Sequence, residues 1–267
     1  MANDPLGREP GEALWPERFS RERLLKIKEA LGNYWWQAMY QQNPLASMAG
    51  ANLGDMLKVI LKSDVPNDRD CKRVRAWDVA ATAGGGDWTA GPLLGNHRAM
   101  GKIIIEDMQR FQKSSLNTEL MVTTCAEGDG HGVQVMMEQE PGSSGLTVID
   151  HYTKLLPGYV FKGEKATGPI EVRAGPFLAA VEAGRVLMVK ADWNEELILE
   201  MNAFPDGEHD DQVIALALAY NKLIKGLYGG VTWGRNSADV SNVIPIRGGK
   251  NQKPLKRDRM VTGLTWR

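Results

Sequence analysis

The sequence predicts an α/β fold, a mixed sheet flanked by helices, on three observations. From Arg73 onward, short apolar runs of strand length alternate with longer helical patterns, as a layered α/β architecture requires. The first three strand-like runs follow one another with no helix between them, so they pair as an antiparallel meander. Of 267 residues, 43% are hydrophobic and 24% charged, close to the globular average, so the chain can bury a core of ordinary size.

The pattern divides the chain into residues 1–65, a domain over 66–226 and a tail over 227–267. The first part reads as helix and loop, with Ser20 as the cap of SRERLLKIKEAL and Gly32 as its stop. An aromatic run, Tyr34, Trp35, Trp36, Met39 and Tyr40, makes a further helix that breaks at Pro44 and serves as a core face or a docking face. SDVPNDRD is a polar linker.

The domain opens with the strand RVRAWDVA, a glycine turn at Gly84 to Gly86, then the strands DWTAGPLLGN and KIIIEDMQRF. SSLNTELMVTTCAEG has a serine cap and a glycine stop and is a helix. VQVMME is a short strand, PGSSG a loop and LTVIDHYTKLL a helix; GYVFK is again a strand. PFLAAVEAG, WNEELILEMNAF and DDQVIALALAYNKLI read as helices and RVLMV as a strand. Beyond Tyr228 periodicity disappears, leaving a tail with Lys250, Lys253, Lys256, Arg257 and Arg259 that suits phosphates or an acidic partner.

Composition narrows the function. A net charge of −1 gives no global positive field, so a nucleic acid partner must be held by a local basic patch or through metal ions. Cys71 and Cys125 lie far apart without a CxxC pair, which argues against a disulfide framework or a zinc knuckle and suits structural thiols in a reducing compartment. No run approaches the roughly 18 apolar residues of a membrane span and the N-terminus lacks an apolar signal core, so no membrane partner is expected.

The sharpest chemical signal is the placement of isolated acids. Asp78 interrupts the apolar strand AWDVA, where an unpaired carboxylate costs several kcal/mol. Glu138 ends VQVMME, and Asp210 with Asp211 opens the last helix, whose N-terminal dipole favours negative charge. If the sheet makes these segments neighbours, they form a hard oxygen site for magnesium or manganese, with no histidine or cysteine at ligand spacing for zinc. Two such ions about 4 Å apart activate a water and stabilise the leaving oxygen in phosphodiester hydrolysis. In the local alternative each acid acts on its own, with Asp210 as a helix cap, Glu138 as a solvated strand end and Asp78 in a salt bridge with Arg73 or Arg75.

RAWDVAATAGGGDWTAG, then VMMEQEPGSSG, then AFPDGEHDDQVIALALAY resembles the nuclease domain of the large terminase subunit of tailed bacteriophages. The likeness spans about Arg73 to Leu223, and GEALWPERF with QAMYQQNP resembles the end of the terminase ATPase domain. It implies a ribonuclease H-like fold and a two-metal, magnesium- or manganese-dependent endonuclease that cuts double-stranded viral DNA concatemers during packaging. It places the catalytic, metal-holding acids at Asp78, Glu138 and Asp210 or Asp211, an auxiliary acid at Asp87, and a DNA-binding basic pair at Lys165 and Arg173. The implied partners are DNA, the terminase ATPase domain, the small terminase subunit and the portal protein; the implied location is the host cytoplasm, at the procapsid.

Two departures stand out. The family commonly has an acid three residues after the HDD pair, where this chain has Ile214, which puts that acid's role at the second cation in question. No GxxxxGK[ST] occurs, so this chain is not the ATP motor but a nuclease portion or one product of a split gene.

Two other classes compete. DVAATAGGGDWTAG also resembles the first phosphate loop of actin-like and sugar-kinase phosphotransferases, but the second loop of DxGGGT type is missing. A non-catalytic docking module of the packaging motor would use the aromatic segment and the basic tail instead. His209 beside Asp210 could orient a carboxylate, whereas His97, His131 and His151 show no ligand spacing. The loop PGSSG could offer backbone N–H groups to a phosphate or be a plain turn.

Overall fold

The computed structural model describes residues 7–9, 11–42, 52–67, 71–80 and 86–225. The basic tail, Pro44, Gly84 and Gly85 lie outside them, as do the side chains of Tyr34 and Trp35. Seven strands form one mixed sheet: β1 (Lys58–Ile60), β2 (Lys72–Trp77), β3 (Thr89–His97), β4 (Lys102–Phe111), β5 (Gln134–Gln139), β6 (Phe161–Lys165) and β7 (Val186–Val189). Their order across the sheet is β1-β7-β4-β3-β2-β5-β6. The expected meander is present, β2 pairing antiparallel with β3 and β3 with β4. The other pairings, β2–β5, β5–β6, β4–β7 and β1–β7, are parallel.

Among the described residues, six α-helices accompany the sheet: α1 (Arg21–Tyr40), α2 (Ser115–Asp129), α3 (Ser143–Leu155), α4 (Ile170–Glu182), α5 (Asn194–Ala203) and α6 (Asp211–Lys225). Side-chain alternation sorts them onto two faces. Val74, Ala76 and Met136 join Phe177, Leu178, Val213, Leu216 and Tyr220 in the larger core, under α4 and α6. Trp77, Val135 and Met137 join Val122, Ala126 and Tyr152 in a second core, under α2 and α3. Among the described residues, no helix is long and apolar enough to cross a membrane.

Two elements differ from expectation. Strand β1 lies where helix and loop were read, and the expected boundary at residue 65 falls between β1 and β2 of the same sheet; three residues are too few to show a period. Gly32, with φ 76° and ψ 168°, ends the first helical stretch as expected, and the stretch with the aromatic run follows it within α1. The chain restarts at once because Glu182 of α4 accepts from Asn33 N–H at 3.0 Å, and a Cβ on Gly32 would lie 3.0 Å from that of Ala179. Helix α4 begins six residues before Pro176, the expected start. The proline removes one helical bond, and the burial of Ala174, Gly175 and Phe177 against the larger core offsets the loss.

Buried charge on the α2/α3 face is internally matched. Arg75 is 2% exposed. Its guanidinium donates to Asp129, to Asp107 Oδ2 at 2.9 Å and to the Gly91 carbonyl at 2.7 Å, while Arg73 Nε donates to both Glu106 oxygens at 3.0 Å. Neither arginine is the partner that the local alternative required for Asp78.

Candidate active site

The register of β2 against β5 builds the first half of the site. Trp77 is opposite Met137, so the next step brings Asp78 beside Glu138 at the same end of two parallel strands. Both continue the Val74, Ala76, Met136 alternation and so lie on the α4/α6 face. Asp78 is fixed by a two-bond bridge to Ala90: its N–H donates to the Ala90 carbonyl and its carbonyl accepts from Ala90 N–H, both at 2.9 Å.

Helix α6 supplies the second half. Asp210 caps it, its carbonyl accepting from Ile214 N–H at 2.9 Å, and Asp211 is its first residue. Asp211 is 6% exposed, and its Oδ2 accepts from the Trp88 backbone N–H at 3.2 Å, which ties the helix start to the segment entering β3. The Trp88 ring lies under the Arg110 guanidinium, 3.8 Å from its centroid, and against the edge of His209. Glu200 of α5 braces the same end, accepting from Gln212 N–H at 2.7 Å, Val213 N–H at 3.2 Å and Gln212 Nε2 at 2.6 Å.

Electrostatics shows that these acids feel one another. Burial pushes the Asp78 carboxyl well up, and the charges of Glu138, Asp211 and Asp210 push it further, against the opposing charge of Arg173. Asp210 is raised by burial and then by Asp87, with Arg173 and His209 opposing. Asp211 is raised by burial, with the Trp88 N–H opposing and Asp87 and Asp210 adding to the rise. The exposed Asp87 therefore borders the cluster.

The basic pair separates. Arg173 of α4 reaches into the cluster, Nη1 donating to Glu138 Oε2 at 2.6 Å. Lys165 ends β6 opposite Gln139, so alternation sets it on the other face from Glu138, where it is exposed. The residue opposite Glu138 is Glu164, a further acid beside the cluster that the sequence reading passed over, as it did Trp88, Arg110 and Glu200. Glu164 alternates with lysines in a five-residue strand, a pattern that reads as solvated surface. The first turn of α3 packs closely on the end of the preceding loop: a Cβ on Gly145 would lie 2.1 Å from the Glu140 carbonyl oxygen.

A family model described as the terminase RNaseH-like domain matches residues 75–223, more than half of the chain. The chain belongs to that family. The matched span of this terminase RNaseH-like domain runs from Arg75 to Leu223 and contains all four clustered acids and Arg173. It sets aside the actin-like and sugar-kinase alternative. No curated protein matches the chain. Solved structures similar to it include the large terminase nuclease of the thermophilic phage G20c with bound magnesium, at 17% identity and TM-score 0.47, over 66% of this chain and 98% of that one. The human cytomegalovirus terminase nuclease domain is similar at 11% identity and TM-score 0.47, over 66% and 94%. The P22 large terminase nuclease domain is similar at 12% and 0.47, over 65% and 93%.

Proposed function

We propose that this terminase RNaseH-like domain is a divalent-metal-dependent endonuclease that cuts double-stranded viral DNA concatemers during genome packaging. The observation that carries the reading is the environment of Asp78, a half-buried carboxylate whose neighbours Glu138, Asp210 and Asp211 all disfavour its ionisation, with Arg173 as the opposing charge. Such crowding of like charge is costly unless cations share the site. Every candidate donor is a carboxylate oxygen, which suits magnesium or manganese. Asp78, Glu138, Asp210 and Asp211 would hold the ions, with Asp87 beside them. Bound there, they supply Lewis-acid charge to the scissile phosphate and to the attacking water.

The chain's own groups do the positioning. The bridge to Ala90 fixes the backbone of Asp78, and the Trp88 N–H and the start of α6 fix Asp211, so the acids are preorganised. Arg173 pairs with Glu138 through Nη1, and its side chain, 25% exposed, offers its remaining guanidinium donors to a DNA phosphate. Lys165, at the sheet edge, meets the backbone farther out. None of these groups reads base edges, so the choice of cutting site falls to the packaging partners: the ATPase domain, the small terminase subunit and the portal protein, at the procapsid in the host cytoplasm.

Incubation with supercoiled plasmid and manganese tests the reading. Nicking followed by linearisation, with little sequence preference, is expected, and Asp78→Ala abolishes both. Cutting that persists in that variant overturns the assignment, and a wild-type chain that never cuts leaves the docking module as the better account.

A further inference from the structure

At the end of the sheet remote from Asp78, three donor atoms of different chemistry converge. Lys72 pairs with Asn96 and Arg73 with Gly95, so one further step brings Cys71 beside His97, on the same face as Gly95. On the other side, Gly95 pairs with Ile104. The register of β4 then slips: Leu94 faces Ile105 and Leu93 faces Asp107, leaving Glu106 as an extra, bulged residue. A bulge re-aims its side chain, and here it turns Glu106 toward β2 and β3. One ligand atom from each of Cys71, His97 and Glu106 lies within 4.8 Å of the other two.

Gly95 makes the convergence possible. A Cβ there would lie 2.1 Å from Glu106 Oε1, 2.7 Å from His97 Nε2 and 3.1 Å from Cys71 Sγ. Any side chain at this strand position would fill the space into which the three donors point. His97 is fully buried, and its Nε2 stands 2.7 Å from Glu106 Oε1. Arg73 Nε donates to both oxygens of Glu106 as well.

We propose that Cys71, His97 and Glu106 form a second cation site, for a borderline-soft divalent ion such as zinc. A thiolate, an imidazole and a carboxylate are the mixed donor set that zinc accepts, with a water completing four-coordination; the all-oxygen acid cluster selects harder ions. The thiolate and carboxylate together offset the charge of the ion. Tetrahedral donors about 2.0–2.3 Å from zinc stand roughly 3.3–3.8 Å apart, so binding parts His97 Nε2 from Glu106 Oε1 by less than about 1 Å, within reach of a glutamate rotation. Seven strand steps, about 23 Å at 3.3 Å each, separate Cys71 from Asp78. The ion would tie the ends of β2, β3 and β4 together, whether or not the acid cluster cuts DNA.

The test is a cobalt(II) titration of the full chain, read by thiolate-to-cobalt charge-transfer absorption and then by its loss as zinc is added. One equivalent of cobalt should raise the band and zinc should remove it. Cys125→Ser and Asp78→Asn should keep the band, which separates this site from the other thiol and from the carboxylates. Cys71→Ser should lose it. Thermal unfolding in the Asp78→Asn background guards against a merely misfolded variant: zinc should raise the Tm there, and should no longer do so once Cys71→Ser or His97→Gln is added. A cobalt spectrum without the thiolate band, a band that survives Cys71→Ser, or a zinc-induced Tm rise retained when Cys71→Ser is added to Asp78→Asn overturns the proposal.

Discussion

Arg173 Nη1 donates to Glu138 Oε2 at 2.6 Å, with the two side chains 25% and 15% exposed. In the metal-free chain this guanidinium is the counter-ion of the acid cluster, so an arriving cation competes with it for Glu138. Arg173→Gln should therefore have opposite effects on two measurements. The metal-free Tm should fall by an amount worth about 1 kcal/mol, less than the 3–5 of a fully buried pair because water still screens this one. The manganese concentration that gives half of the metal-induced Tm rise should also fall, since the competitor is gone. A weaker response to manganese would show that Arg173 helps to organise the site for metal rather than opposing it.

Asp78 sets the pH dependence of the metal-free domain. Its folded pKa is raised by burial and by the neighbouring carboxylates, so between the ordinary aspartate value and the raised one the folded chain holds more protons than the unfolded chain. Stability then decreases as pH rises through that window and is fully present only below the unfolded pKa. Asp210 and Asp211 shift in the same direction and add to the slope. Asp78→Asn should raise the metal-free Tm at pH 7 and flatten the slope while reducing plasmid cutting to background. Tm measured across pH with chelator present gives the check; a variant less stable than wild type at pH 7 contradicts the electrostatic account.

How much of this was legible depended on whether a residue's neighbours in space are also its neighbours in pattern. An acid inside AWDVA is conspicuous because apolar strands do not tolerate unpaired carboxylates, and two acids opening an apolar helix are conspicuous for the opposite reason, because the helix dipole welcomes them. The meander, too, could be read from three strand patterns in succession. That β5 crosses to the far side of β2 and sets Glu138 beside Asp78 is a matter of topology, which only the family resemblance supplied. Cys71, His97 and Glu106 were hidden for a different reason. Their meeting depends on an antiparallel return and on a one-residue bulge in β4, and neither leaves a spacing motif. Strand β1 is too short for a period, and Pro176 reads as the start of α4 because proline is so often found there.

Gly91 makes a steric prediction. It lies in β3 directly after Ala90, the partner of Asp78, and a Cβ there would fall 2.3–2.6 Å from three atoms of the Trp77 ring. Trp77 is fully buried between Phe111, Val135 and Met137, so the ring has little room to retreat. Gly91→Ala should cost about 1–3 kcal/mol, the usual range for overpacking a filled core. Because the displaced ring is next in sequence to Asp78, cutting should fall as well. Denaturant unfolding measures the first effect and the plasmid assay the second; wild-type values in both would mean that the strand shifts without strain.

Glu200 tests whether the acids depend on how α6 begins. Its carboxylate, 7% exposed, accepts from the backbone N–H groups of Gln212 and Val213 and from the Gln212 side chain, so one residue of α5 satisfies the buried first turn of α6. Arg110 stands near, Nε 3.9 Å from Glu200 Oε2, and its guanidinium lies over Trp88, whose N–H holds Asp211. Glu200→Ala strands two buried backbone donors and an amide, a loss of about 2–4 kcal/mol. It should also reduce cutting although every clustered acid is intact, because the helix start that positions Asp210 and Asp211 is no longer anchored. Glu200→Gln keeps an acceptor oxygen and should restore part of both, whereas an alanine variant that unfolds early yet cuts at the wild-type rate below its transition would reduce Glu200 to a purely structural cap.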